Sequence, residues 1–188
     1  LSPKSVKETA IVEGIERFEE KQSLQGKANN DTDSFEGVRD WADQNGLVDT
    51  YSGTAEDVNP EDLRQVVNEL DKRSVDPNNM MIIVDHDTHA TLRNQIDDRI
   101  RFEPAGELND GFETLVYDGA PVFKSHGAET GTIYGVDASN TRWNMLADTE
   151  VKPLPVGDTT RNWAIYRYGH LITQKKVGCV VFDPDTTA

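Results

Sequence analysis

The sequence FETLVYDGAPVFKS, residues 112–125, carries the strongest structural signal in this chain. Apolar runs flank the pair Asp118-Gly119, and Asp-Gly in that setting predicts a tight β-hairpin because both positions tolerate positive φ. The predicted strands are 112–116 and 121–125. Nothing in the hairpin resembles a reaction centre, so we interpret it as part of the architecture.

Further candidate strands follow the hairpin. They are rich in β-branched and aromatic residues and are separated by polar turns or by the prolines at 153 and 155. They span Gly131–Asp137, Arg142–Leu146, Asn162–Tyr168, Leu171–Thr173 and Val177–Phe182. The C-terminal part of the chain is therefore predicted to be mainly β.

Helical signals dominate the first hundred residues. The clearest helix start is Asn59, a natural N-cap, followed by Pro60 in the first turn. The apolar positions after it recur at helical spacing and predict one buried face. These positions are Leu63, Val66, Val67 and Leu70.

Two more helices precede this one. Residues 3–21 keep a helical apolar spacing after Ser2 and Pro3, which suit the cap and the first turn. The apolar positions are Val6, Ala10, Ile11, Ile15 and Phe18. A short amphipathic helix is predicted to begin near Phe35 and to end near Gly46.

The segment Met80–Val84 is apolar throughout, which predicts a strand buried on both faces. A helix from about Thr88 to Arg99 is predicted after it, with Asp85 or Asp87 as its N-cap. Helices around a central strand, followed by a β-rich region, indicate an α+β fold.

The chain is strongly acidic. Its 188 residues include 34 acidic and 19 basic side chains, for a net charge of −15, and 36% of the residues are hydrophobic. This charge disfavours direct contact with phosphate backbones and with anionic lipid, and we expect no sequence-specific nucleic-acid binding. It suits a halophilic protein, because salt at 1 M screens repulsion to within about 3 Å. An ordinary acidic protein is the alternative that composition leaves open.

Cysteine usage and hydropathy set further bounds. Cys179 is the single cysteine, so an internal disulfide is excluded, and we expect it to be a small buried side chain. No apolar run is long enough for a membrane span and no secretory signal is visible. Because the sequence starts with Leu1, we expect a processed or excised product.

The sharpest candidate for chemistry is the cluster Asp85, His86, Asp87 and His89. Imidazole and carboxylate at the end of a strand could bind zinc or manganese, which makes a metal-dependent hydrolase an alternative function. Helix capping explains the same residues, and His126 and His170 stand among ordinary strand residues. We therefore assign no metal ligand.

Other reaction chemistry has weaker support. Ser125 and His126 are consecutive, so in a strand they point to opposite faces. A carbohydrate-binding β module is a further alternative, since an aromatic platform could form from Trp143, Trp163, Tyr166 and Tyr168. Core or interface packing is the interpretation we favour for these aromatics. We assign no catalytic or cofactor-binding residue and expect no enzymatic activity.

The order of these elements resembles that of the major capsid proteins of tailed phages and their archaeal relatives, the Hong Kong 97 fold. The resemblance extends from about Thr9 to Phe182. The segments that carry it are Phe35-Glu-Gly37, Asn59–Arg73, Met80–Arg99, Asp118–Val122, Ile133–Asp137, and Pro153–Asp158 ahead of Trp163–Tyr168.

This resemblance implies a helix-flanked central sheet, the axial domain, and a peripheral domain with a long helix and a β-sheet. It places 35–111 and 162–188 in the axial-type domain, and 1–34 and 112–161 in the peripheral-type domain. Relatives usually carry an N-terminal arm, an extended β-hairpin loop and a long spine helix before the matching region, so we expect this chain to be a truncated or proteolysed core. Some relatives are joined by a Lys–Asn isopeptide bond, but no motif here identifies such a pair.

The resemblance also implies a structural role without cofactors. Subunits of this kind associate with copies of themselves into hexamers and pentamers, and with other virion proteins, to form a shell around double-stranded DNA. The expected location is the virion of a tailed phage, an archaeal virus or a provirus, after assembly in the host cytoplasm. We expect no membrane association.

Overall fold

A computed structural model describes residues 3–27, 36–51, 53–54, 56–96, 115–153, 163–173 and 178–185. The helices are α1 (Pro3–Gln25), α2 (Val38–Gln44), α3 (Pro60–Lys72) and α4 (His86–Ile96), with a 3₁₀ turn at Pro77–Asn79. The strands are β1 (Val48–Tyr51), β2 (Met80–Val84), β3 (Leu115–Tyr117), β4 (Ala120–Lys124), β5 (Ile133–Asp137), β6 (Thr141–Pro153), β7 (Trp163–Thr173) and β8 (Cys179–Pro184).

Within these ranges, one mixed sheet has the strand order β1-β8-β5-β2-β4-β3. The pairs β1–β8 and β2–β4 are parallel, and the other neighbours are antiparallel. The long strands β6 and β7 pair with each other as a separate antiparallel ribbon. The predicted α+β class, with helices around a central sheet, is confirmed.

The core lies on both faces of the central strands. Every residue of β5 is buried, as are Cys179 to Phe182 of β8. On one face α3 packs closely, since a Cβ on Gly135 would lie 2.5 Å from Val66 Cγ1. Cys179, whose side chain alternates with that of Val180, faces α2 on the other side. The sheet is therefore sandwiched between helices.

Helix α3 begins as the sequence predicts. The Asn59 side chain accepts a hydrogen bond from the Glu61 amide at 2.9 Å, and the Asp62 carboxylate accepts one from the Asn59 amide at 2.9 Å. Burial raises the pKa of Asp62. This reciprocal capping fixes the first turn, and Leu63, Val66, Val67 and Leu70 are all buried.

The predicted hairpin is also present, between β3 and β4. Asp118 and Gly119 have φ values of 48° and 84°, the paired positive values of a tight two-residue turn. Its strands are Leu115–Tyr117 and Ala120–Lys124. Residues 112–114 of the predicted strand lie outside the described residues.

An arginine fixes α2 to the sheet. The Arg39 guanidinium donates to both oxygens of Asp183 on β8, at 3.1 Å and 2.6 Å, and also to Glu129. Thr132 Oγ1 donates to the same Asp183 carboxylate at 3.0 Å. A bidentate pair between a planar guanidinium and a carboxylate constrains orientation as well as distance. The Arg39–Asp183 pair therefore sets both the orientation and the position of α2.

Several strands differ from the sequence prediction. Strand β6 extends to Pro153, beyond the predicted end at Leu146, and β7 is continuous where two separate runs were predicted. The reason is that the two strands pair along most of their length, with a register irregularity between Met145 and Glu150. Strand β1 was not predicted, because its Asp49 and Thr50 are exposed and carry no apolar signal.

The sheet also bears on the predicted domain boundaries. A boundary at residue 112 places β2 in one unit and β3, β4 and β5 in the other, yet all of them lie in one hydrogen-bonded sheet. That boundary does not follow the sheet. The assignment of axial-type and peripheral-type domains stays a prediction.

Candidate self-association surface

Helix α1 is held to the rest of the molecule near its C-terminal end. Leu24 is buried, and the Gly37 amide donates to the Gly26 carbonyl at 2.9 Å. The backbones approach so closely there that a Cβ on Gly37 would lie 2.6 Å from the Gln22 carbonyl oxygen. Glycine is therefore required at position 37.

A second attachment joins α1 to the loop after β4. The Glu20 carboxylate accepts hydrogen bonds from Ser125 Oγ at 2.6 Å and from the His126 amide at 3.1 Å. The Gln25 side chain donates to the Gly127 carbonyl at 2.6 Å. These contacts all lie at or beyond residue 20 of the helix.

The preceding turns of α1 present an apolar surface outward. We define the α1 stripe as Ile11, Ile15 and Phe18, which share one face by their i, i+4, i+7 spacing. Ile11 is 50% exposed and Phe18 is 53% exposed, and they are the large apolar side chains that stay exposed among the described residues. The apolar residues of α1 do recur at the predicted helical spacing, but the face formed by the α1 stripe does not enter the core.

Charges of opposite sign border the α1 stripe. Successive helical residues are about 100° apart, so Glu19 and Lys21 lie at similar angles on its two sides. On the Glu19 side, α1 and the β6–β7 ribbon enclose a groove of about 350 Å³. The groove is lined by Glu16, Glu19, Glu20, Ser23, Trp143 and Leu171.

The indole of Trp143 lies close over strand β7. A Cβ on Gly169 would be only 2.7 Å from the indole nitrogen, so the absence of a side chain at Gly169 makes room for the ring. Trp143 is thereby part of the wall of the groove beside α1. The structure describes the backbone of Trp163, Tyr166 and Tyr168 but not their side chains. The aromatic platform of the carbohydrate-binding alternative therefore gains no support.

The structure gives Asp85 a capping role. Its carboxylate accepts from the Asp87 amide at 3.1 Å and from the Thr88 amide at 3.2 Å, at the start of α4. The helix thus begins at His86, two residues before the predicted start, and Asp87 lies in its first turn. Of the two caps considered, Asp85 is the one observed.

The histidines of the cluster do not converge on a common point with carboxylates. The His86 ring stacks on the His126 ring, with centroids 4.1 Å apart and an interplanar angle of 33°. His89 is half-buried, and burial, followed by the charges of Lys124 and Arg93, lowers its pKa. In the ranges that the structure describes, no three His, Cys, Asp or Glu side chains are placed to bind one metal ion.

The capping role predicts the effect of changing Asp85. Replacement by alanine is expected to lower the free energy of unfolding by about 1–2 kcal/mol, because the first amides of α4 lose their acceptor. Asparagine retains a side-chain oxygen and is expected to cost much less. Urea denaturation followed by circular dichroism measures both. Equal losses for the two variants would contradict the capping role.

The cysteine lies in the core, as expected. Cys179 Sγ is 3.7 Å from the Val38 carbonyl oxygen, and burial raises the pKa of the thiol to about 12. Its thiolate is therefore strongly disfavoured, which makes it a poor nucleophile.

Among the described helices, none has an apolar stretch long enough to cross a membrane.

Sequence reasoning did not identify the groove or the attachment of α1. The groove combines residues 16–23 with residues 143 and 171, and no local spacing links these segments. The close contacts at Gly37, Gly135 and Gly169 likewise involve residues that are distant in the sequence. The helical spacing of the α1 stripe was visible in the sequence, but whether it faced the core or solvent was not.

Solved structures with this fold include two capsids. A capsid of an empty GTA particle has a TM-score of 0.63 and 16% sequence identity, and the match covers 96% of this chain and 65% of that chain. The capsid of the cyanophage P-SCSP1u has a TM-score of 0.60 and 13% identity, covering 100% of this chain and 67% of that chain. A structure from Mycobacterium phage Che8 has a TM-score of 0.53 and 19% identity, with 77% and 56% covered.

The comparisons therefore agree on the fold. The chain has the capsid-protein fold that the resemblance to the Hong Kong 97 family implied, and that prediction is confirmed. It spans between 56% and 67% of the length of these three structures. No protein-family model and no curated protein matches the sequence.

Proposed function

We propose that this chain is a non-enzymatic structural subunit of a viral shell, from a tailed phage, an archaeal virus or a provirus. The observation that carries the proposal is the fold shared with capsid structures over 96% and 100% of the chain. In this proposal, copies associate into hexamers and pentamers around double-stranded DNA, together with other virion proteins. Assembly takes place in the host cytoplasm.

The surface of the molecule supports association through α1. The α1 stripe exposes apolar area that would leave water on contact with another copy. Glu19 on one side and Lys21 on the other allow an incoming surface to be selected by charge as well as by shape. A subunit that functions through such contacts needs no reaction centre. Asp85, the first residue of the candidate metal cluster, caps helix α4.

We also propose a division of the chain into two units whose boundaries differ from those predicted from the sequence. We place α1 and the β6–β7 ribbon, which share the groove, in the peripheral-type unit. The mixed sheet with α2, α3 and α4 forms the axial-type unit, and it includes β3, β4 and β5.

The strong net charge of −15 makes copies repel one another in dilute salt.

Salt is therefore expected to promote self-association. Light scattering of the purified chain should show larger species as salt rises toward about 1 M, where the screening length falls to about 3 Å. This behaviour also suits a halophilic protein, which is one of the two alternatives that the composition leaves open. Absence of larger species at every salt concentration would contradict the proposed function.

The α1 stripe is tested in the same titration. Replacing Ile11 and Phe18 together by serine is expected to weaken self-association at least about tenfold, because their apolar area no longer leaves water. Ala10 is also exposed on α1. The Ala10→Ser variant is therefore the matched control and should self-associate like the unchanged chain. If the double variant associates normally, the α1 stripe is not the contact surface, while the shell proposal stands.

A further inference from the structure

The α1 stripe runs between two flanks of opposite charge. Arg17 and Lys21 lie on one side of it, and both are exposed. Glu16 and Glu19 lie on the other side, where they line the groove beside the β6–β7 ribbon. We call these pairs the basic flank and the acidic flank. Because successive helical residues are about 100° apart, Lys21 and Glu19 are the members of the two flanks nearest to the stripe.

The attached face of α1 lies opposite the stripe. Glu20 follows Phe18 by two residues, which is about 200° around the helix. Its carboxylate accepts hydrogen bonds from the loop after β4. Leu24, one turn further along the same side, is buried. A helix from a second copy can therefore approach residues 11–18 from the side of the stripe.

Gly14 borders the stripe and is exposed in the middle of α1. Glycine is unfavourable inside a helix relative to alanine. Packing within the described part of the chain does not require it, because a Cβ there would have no atom within 4 Å apart from the nearby backbone of α1 itself. A bare backbone between Ile11 and Phe18 leaves room for a neighbouring helix to come close.

The flanks determine the direction in which a second α1 packs on the stripe. In an antiparallel pair related by a two-fold axis, each flank faces the same flank of the other copy, so like charges meet. In a parallel arrangement, the acidic flank of one copy faces the basic flank of the other. Glu19 of one helix and Lys21 of the next are then about 3 Å apart along the helix axis. Opposite charges bordering an apolar seam in this way favour the parallel arrangement.

We infer that α1 of one copy packs in parallel on α1 of the next, stripe against stripe and acidic flank against basic flank. This inference rests on the proposed shell function and specifies the contact that the shell uses. Because two different flanks meet, the same contact can repeat from copy to copy around a ring, as hexamers and pentamers require. The groove beside Glu19 gives the incoming Lys21 side chain space next to the acidic flank.

Disulfide cross-linking of the full chain tests the direction of packing. In a parallel pair, each stripe residue lies opposite its own counterpart, so Ile11→Cys alone and Phe18→Cys alone should each form a covalent dimer under mild oxidation. In an antiparallel pair, residue 11 faces residue 18 instead. These positions are about 10 Å apart along a helix, and a disulfide needs Cα atoms within about 7 Å. An antiparallel pair would therefore cross-link only in a mixture of the two variants.

The cross-linking is carried out at a salt concentration at which light scattering shows association. Ala10 is exposed on α1 but lies about 100° from Ile11, so Ala10→Cys is the matched control off the stripe. Each stripe variant should give at least about fivefold more covalent dimer than this control. The unchanged chain controls for Cys179, which is buried.

Charge reversal tests the pairing of the flanks. Glu19→Lys makes the net charge of −15 two units less negative, so general repulsion between copies falls. We nevertheless expect this variant to self-associate about threefold more weakly, because its new lysine would face Lys21 of the next copy. Lys21→Glu should also weaken association. An equimolar mixture of the two variants should restore it, since each then supplies the charge that the other needs.

Two results would overturn the inference and leave the shell proposal standing. The first is association with covalent dimer only in the mixture of Ile11→Cys and Phe18→Cys, or with no more dimer than Ala10→Cys gives. The second is stronger association of Glu19→Lys than of the unchanged chain, which would show that net charge alone governs the contact. Absence of association at every salt concentration would instead contradict the proposed function, and the inference with it.

Discussion

Replacing Leu70 with alanine is expected to lower the free energy of unfolding by about 2–5 kcal/mol. Leu70 is completely buried on the inner face of α3. Its Cδ1 lies 3.2 Å from where a Cβ on Gly135 would be, so it packs directly on the middle of β5. Shortening the isobutyl side chain to a methyl group takes away apolar burial and leaves a cavity in the close-packed core.

Urea denaturation of the Leu70→Ala variant, followed by circular dichroism, measures this loss. Asn68→Ala is the matched control, since Asn68 is exposed on the same helix and its replacement should change stability by less than about 0.5 kcal/mol. A Leu70→Ala effect as small as that of the control would show that α3 does not pack on β5.

Gly135→Ala is expected to lower the free energy of unfolding by about 1–3 kcal/mol through overpacking. A Cβ at this position would lie 2.5 Å from Val66 Cγ1 and 2.9 Å from Val180 Cγ2. Both distances are too short for carbon atoms in contact. Either α3 must move away from the sheet or the neighbouring side chains must leave their preferred rotamers.

The physical reason can be separated from a general loss of stability by a second substitution. Val66→Ala alone should destabilise the protein, because Val66 is completely buried. Combined with Gly135→Ala it removes one of the two methyl groups in the way, so the double variant should be more stable than the sum of the single effects predicts. A coupling of about 0.5–3 kcal/mol is expected. Strict additivity of the two losses would refute the steric account.

Much of the fold could be predicted because its strongest signals are local. The capping residues Asn59 and Asp62 are three apart, and the hairpin turn at Asp118 and Gly119 depends on two adjacent residues. A buried stripe at helical spacing likewise needs one short segment of sequence. Such signals depend on neighbouring residues alone, and they identified α3, β2 and the β3–β4 hairpin.

Features that depend on distant contacts could not be predicted. The partner of β1 is β8, about 130 residues later, and its exposed middle residues carry no pattern. The α1 stripe looked like any amphipathic face, and only the placement of the helix shows that Ile11 and Phe18 remain exposed. The cluster Asp85–His89 combined capping chemistry with residues that also bind metals, so the sequence left two interpretations open.

The position of β8 in the sheet has a consequence for folding during synthesis. In the part of the chain that the structure describes, this strand lies between β1 and β5, and β1 joins the sheet through residues 181–184. A ribosome must add all of these residues before the two parts of the sheet can meet. Until then, the apolar edge of β5 has no neighbour on that side, and the growing chain exposes a surface that is prone to aggregate. Pairing across so long a separation also predicts slow closure of the sheet.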